Sequence, residues 1–120
     1  MIAHAAQEPA VKTPDGALRR VLSHGGALMA VEFTFDAGVT SAWHSHPHEQ
    51  IGYMVEGEFE FIIGGRSHHV RPGQIWRIPG GVPHKVIAGE RPARAVDVFY
   101  PVREDMREKP AGPVGPGETK

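Results

Sequence analysis

His44 and His46 stand two residues apart in the run Gly38-Val39-Thr40-Ser41-Ala42-Trp43-His44-Ser45-His46-Pro47-His48-Glu49-Gln50, and a third histidine closes the later run Pro79-Gly80-Gly81-Val82-Pro83-His84. In an extended segment, residues two apart point to one side, so His44 and His46 can offer both imidazoles to one ion. Gln50 follows four residues after His46 and brings a neutral amide oxygen to the same parity. The chain contains no cysteine. Thiolate sites and disulfides are therefore excluded, and a metal would be held by imidazole, carboxylate or amide. Together the two segments read as one site for a divalent transition metal, split across the chain. Imidazole suits Zn, Ni, Fe, Mn and Cu alike, so the donor set does not choose among them.

Neighbouring residues offer alternatives. Glu49 is a carboxylate beside Gln50, and a bulge at Pro47 would turn it inward. His48 shares the parity of His44, His46 and Gln50, but a break of register at Pro47 is expected to leave it facing solvent. His68 and His69 read as surface residues of a hairpin strand, while His4 and His24 carry no signal. Trp43 and Trp76 adjoin the site segments, and either could line its mouth or sit in the core.

The elements that must position these groups are short strands. Met29, Val31, Phe33 and Phe35 alternate with Ala30, Glu32 and Thr34, and Phe59, Phe61 and Ile63 alternate with Glu58, Glu60 and Ile62. This period of two marks half-buried strands. Gly64-Gly65 reads as a two-residue hairpin loop leading into Arg66 to Arg71. Further strands are expected over Gln74 to Ile78, Pro83 to Ala88 and Ala93 to Tyr100. No helical periodicity occurs between Ala17 and Tyr100, and the 15 glycines and 11 prolines of the chain suit an all-β fold with many tight turns.

At 120 residues the chain is long enough for one core. Residues 1–16 are expected to form an N-terminal extension ending in the turn signal Thr13-Pro14-Asp15-Gly16. Residues 17–103 form the β-domain. Residues 104–120 read as a polar stretch able to make a turn of helix, then a Pro/Gly-rich flexible tail from Pro110 to Lys120. The formal net charge of -1 predicts no nucleic-acid or anionic-membrane partner. No apolar run approaches the length of a membrane span. The opening residues resemble no secretory signal, so the cytoplasm is the expected compartment.

The framework around the histidines adds specificity. Gly38 lies six before His44, Gly57 seven after Gln50, Gly73 six before Pro79, and Gly81 three before His84. These offsets resemble the two motifs of the cupin superfamily, G-x5-H-x-H-x3/4-E-x6-G and G-x5-P-x-G-x2-H-x3-N. Gln50 replaces the glutamate of the first, and Ala88 the asparagine of the second. The resemblance implies a double-stranded β-helix, or jelly-roll barrel, with the metal inside one mouth. It further implies His44, His46, Gln50 and His84 as ligands, with open positions left for water or substrate.

Glutamine in place of a carboxylate leaves such a site one unit more positive. That stabilises an oxidised metal less and polarises a bound oxygen more, which favours Lewis-acid work over oxygen activation. The run Asp97-Val98-Phe99-Tyr100-Pro101-Val102-Arg103 also resembles the D-x-F-x3-R pattern of the small cupins named for pectin degradation. That resemblance implies a metal-dependent enzyme opening the ring of a 4,5-unsaturated uronate. Asp97 would move a proton, Arg103 would clamp the substrate carboxylate, and Phe99 would supply an apolar wall. The rival readings are a metal-dependent dioxygenase on the same barrel, a non-catalytic binding or sensing protein, and a metal that only stiffens the barrel.

Ile51, Tyr53 and Val55 lie opposite in parity to Gln50, and Val96, Val98 and Tyr100 opposite to Asp97. An apolar outer sheet face of this kind predicts a homodimer.

Overall fold

The structure is a computed structural model and describes residues 2–107. After a 3-10 turn at Ala5–Gln7, nine strands follow: Ala10–Lys12 (β1), Leu18–Gly25 (β2), Leu28–Phe35 (β3), Glu49–Glu56 (β4), Phe59–Ile63 (β5), Arg66–Val70 (β6), Ile75–Ile78 (β7), His84–Ala88 (β8) and Ala93–Tyr100 (β9). One helical turn, Glu104–Arg107 (α1), ends the described chain. The expected tail, Pro110 to Lys120, lies outside the described residues.

The strands form two sheets, a six-stranded one ordered β1-β2-β3-β9-β4-β7 and a three-stranded one ordered β6-β5-β8. Every strand pairing is antiparallel. β1 arises from the stretch ahead of Ala17 and pairs with β2, Val11 opposite Arg19. The Gly64-Gly65 loop joins β5 to β6 as a hairpin, with Ile63 opposite Arg66.

The predicted alternation sets which residues meet between the sheets. Along β9, Ala93, Ala95, Asp97 and Phe99 are buried while Tyr100 is exposed. Small alanines on this strand leave room for Phe59 and Phe61 arriving from the opposite sheet, which pack edge-to-face at 5.6 Å. Phe35, Met54, Trp76, Ile78 and Val86 complete that cluster. A second cluster joins Val21, Met29, Val31 and Phe99 to Met106 of α1. Each fully buried side chain of this size contributes about 1.5–3 kcal/mol, and Phe59, Phe99, Met29, Met54 and Ile78 are all at or below 2 % exposure.

β3 departs from simple alternation at Glu32, which is buried although its parity is outward. Arg94 accounts for this, donating to Glu32 Oε2 at 3.1 Å and to Glu56 Oε1 at 2.9 Å. At the end of β4, Gly57 turns the chain with φ +79°, and a Cβ there would lie 2.3 Å from the Pro92 carbonyl oxygen. That corner admits only glycine.

Candidate metal centre

The two histidine segments meet through their backbones. His44 N–H donates to the His84 carbonyl at 3.1 Å, and His84 N–H donates back to His44 at 2.9 Å. Gly81 N–H donates to the His46 carbonyl at 2.8 Å. The expected continuous strand through His44 and His46 is not formed. Only isolated bridges occur there, Thr40 with Ile87 and His44 with His84. Pro47 has no N–H to extend the ladder, and Gly80 lies against it so closely that a Cβ would come within 2.2 Å of its carbonyl oxygen.

One ring nitrogen from each of His44, His46 and His84 lies within 4.8 Å of the others. In each ring Nδ1 sits at a backbone carbonyl: Ala42 at 3.0 Å for His44, His48 at 3.0 Å for His46, and Val82 at 2.8 Å for His84. A carbonyl only accepts, so Nδ1 carries the proton and Nε2 keeps its lone pair free for a metal. The Nε2 atoms of His46 and His84 are buried without a hydrogen-bond partner, as is the Gln50 amide oxygen. Burial lowers the His46 pKa and brings that of His84 down to about 4. Both rings are therefore neutral at physiological pH, the form a metal takes.

Gln50 is 5 % exposed on β4, and its amide nitrogen donates to Asp97 Oδ1 at 3.1 Å. This leaves its oxygen on the imidazole side, where it also contacts His46. Glu49 points the other way and pairs with Arg77 at 2.7 Å. The donor set of three imidazoles and an amide oxygen, with unsatisfied lone pairs turned together, fits a divalent ion. Neighbouring His48, expected to face solvent, is only partly exposed. Its ring is half-buried 5.5 Å from that of His46.

Asp97 is 6 % exposed and accepts the Trp76 indole N–H at 2.7 Å. Burial pushes its pKa up to about 6, against the lowering effect of its two donors and of Arg103. Gly52 stands opposite both Trp76 and Asp97 in the sheet, and the hydrogen bond between them crosses the space its missing side chain leaves. A Cβ on Gly52 would lie 2.1 Å from Trp76 Nε1 and 2.3 Å from Asp97 Oδ1. Gly52→Ala is expected to lose about 1–3 kcal/mol of stability through overpacking and to displace both side chains. Thermal denaturation would check it, and an unchanged Tm would refute the close packing.

A cavity of about 280 Å³ opens beside the imidazoles, and His44, Gln50, His84, Asp97, Phe99 and Arg103 all reach it. Trp76 lines it as well. Trp43 does not border it. That side chain is 51 % exposed with the Lys85 ammonium 5.1 Å from its ring. Arg103 stacks 5.0 Å over the Phe99 ring and forks onto Asp105 through Nε at 3.2 Å and Nη2 at 2.8 Å. His68 and His69 are exposed, the latter between Glu58 and Glu60.

Sequence reading missed Arg19, which lines the same cavity. The signal was legible, because Arg19 shares parity with Ala17 and Val21, both apolar. The turn at Thr13 to Asp15 was read only as the end of the extension. It borders the cavity, and Asp15 is held there by the Ala42 N–H at 3.2 Å.

Two antiparallel sheets with a histidine cluster between their ends define a jelly-roll barrel of the cupin type. The sequence profile described as Cupin domain matches residues 31–99, and the chain belongs to that family. Among curated relatives, it is 30% identical over 93 residues to the pectin degradation protein KdgF of Dickeya dadantii (strain 3937), covering 77% of this chain and 84% of that one. The solved structure of KdgF from Halomonas sp. superposes with a TM-score of 0.82 at 32% identity, covering 88% of this chain and 99% of the other. A shorter match, 34% identical over 68 residues, is to the HTH-type transcriptional regulator PuuR of Escherichia coli (strain K12), covering 52% of this chain and 37% of PuuR.

Proposed function

We propose that this protein is a metal-dependent, non-redox enzyme that opens the ring of a 4,5-unsaturated uronate to the linear keto sugar acid. One observation carries the reading. His84 and Gln50, whose Nε2 and amide oxygen have no hydrogen-bond partner, line a cavity that Asp97, Phe99 and Arg103 also line. The likeness to two KdgF proteins over most of the chain supports the substrate class.

His44, His46, Gln50 and His84 would hold a divalent ion, which would supply Lewis-acid polarisation when bound. The remaining steps fall to the chain's own residues. Ring opening removes a proton from the anomeric hydroxyl and breaks the bond between ring oxygen and anomeric carbon. It then places a proton on the former vinyl carbon, so the reaction is an isomerisation with no atom gained or lost. A carboxyl brought to about pKa 6 both takes and gives protons near neutrality, which suits Asp97 to this transfer. Trp76 holds that carboxyl in place by its N–H. Arg103 binds the substrate carboxylate, and Phe99 provides an apolar wall for the sugar ring.

The test is the loss of ultraviolet absorbance of an unsaturated uronate with metal-loaded protein. Absence of any loss would overturn the substrate assignment. Oxygen uptake during the reaction would favour the dioxygenase reading instead. The match to a regulator supports binding without turnover as the second reading, which tight ligand binding with an unchanged spectrum would favour.

The protein acts as a homodimer on this reading. Leu28, Ile51, Tyr53, Ile75 and Tyr100 are 47–67% exposed on one face of the six-stranded sheet, and Ile51 and Tyr53 lie opposite Val98 and Val96. Light scattering is expected to give a dimer mass, and Ile51→Lys a monomer, since an unpaired charge at an apolar contact is costly. A monomeric wild type would refute it. Among the described residues no helix is long and apolar enough to cross a membrane.

A further inference from the structure

Two adjacent arginines on β2 differ in how they are satisfied. Arg20 faces outward, donates to the Ala5 carbonyl at 2.9 Å and approaches Glu32 at 3.9 Å. Arg19 faces inward, between the buried Ala17 and Val21. Its Nε is buried with no hydrogen-bond partner, and its side chain lines the cavity that His44 and His84 also line. A guanidinium held on an inward face with a donor unmet is costly unless something is to occupy it.

The surrounding charges say what that occupant is. Asp105 and Arg103 act on Arg19 electrostatically, the first favouring its charge and the second opposing it. Asp105 is already engaged by the fork of Arg103. Two guanidiniums thus share the carboxylate of Asp105 beside the cavity. Asp15, also at the cavity, is turned to the Ala42 N–H and the Thr13 hydroxyl. Asp97 lies buried against Trp76 and Gln50.

We propose that Arg19 is a second substrate-binding cation, which together with Arg103 grips a ligand carboxylate at the cavity. This deepens the function proposed above and rests on it for the identity of the ligand as a sugar acid. A planar guanidinium matches a carboxylate in a two-bond geometry that an ammonium does not reproduce. Arg103, with Nε and Nη2 committed to Asp105, is left with less than a full fork for the ligand. Arg19 supplies the rest. The arrangement selects acids over neutral sugars.

The test is calorimetric titration of zinc-loaded protein with galacturonate and with galactose, in wild type, Arg19→Gln and Arg19→Lys. Wild type is expected to prefer the acid. Arg19→Gln is expected to weaken galacturonate binding by about tenfold or more, the scale of a lost charge-assisted hydrogen bond, and to leave galactose unchanged. Arg19→Lys is expected to restore part of the preference, which separates charge from simple packing. Undiminished galacturonate binding by Arg19→Gln, equal loss of both sugars, or no preference for the acid in wild type would each overturn the proposal. If the acid preference depends on Arg19 but unsaturated uronates are not consumed, the binding role stands and the proposed reaction fails.

Discussion

His84→Ala is expected to abolish stoichiometric metal binding. The side chain is 2 % exposed, its Nδ1 is fixed by the Val82 carbonyl, and its Nε2 has no partner among the described residues. Loss of an outer hydrogen-bond partner alone typically costs roughly 10–100-fold in metal affinity, so removal of an imidazole should exceed that. The backbone pair between His44 and His84 does not involve the side chain, and the barrel should therefore still fold. Elemental analysis after dialysis gives the readout, with circular dichroism as the control for folding. Full metal occupancy in a folded His84→Ala protein would remove His84 from the ligand set, and with it the split-site reading.

Asp97→Asn is expected to trade activity for stability. Asparagine preserves an oxygen for the Trp76 N–H but cannot carry a proton, so kcat should fall by about 10²–10⁴. Stability should move the opposite way. The carboxyl has an ordinary pKa of 3.8 that burial raises to about 6 in the folded protein. Its protonated form is thus favoured by folding. The associated stabilisation is complete below 3.8 and is lost as pH rises through 6. At pH 8 the buried charge costs up to roughly 3 kcal/mol, which the neutral amide avoids. Metal-free Asp97→Asn should therefore melt above wild type at pH 8, with the gap narrowing at pH 5. A variant within a few-fold of wild-type activity would deny Asp97 the proton-transfer role. A lower Tm at pH 8 would show that the carboxylate stabilises the fold instead.

Much of the barrel was legible because its signals are local. Period-two patterns placed β3 and β5, and the Gly64-Gly65 hairpin emerged where the two glycines stood. Gly38, Gly57, Gly73 and Gly81, the markers of the two motifs, all adopt positive φ, a backbone state chosen by residue type rather than by distant contacts. Asp97 and Phe99 both line the cavity, and their shared face follows from parity along one strand, which needs no knowledge of its partners. The half-burial of His48 and the isolated bridges at His44 were not legible because the close approach of Gly80 to Pro47 is a contact between two loops, which leaves no local trace.

By itself the sequence determined the donor types and their spacing, because side-chain chemistry and order along the chain are properties of residues and their near neighbours. Only the tertiary structure decided how those donors are prepared. The amide of Gln50 pinned by Asp97, the indole passing over Gly52 and the convergence of Arg19 with Arg103 all join elements far apart in the chain. Such contacts depend on which strands pair and in what register, and so they exist only once the two sheets have closed.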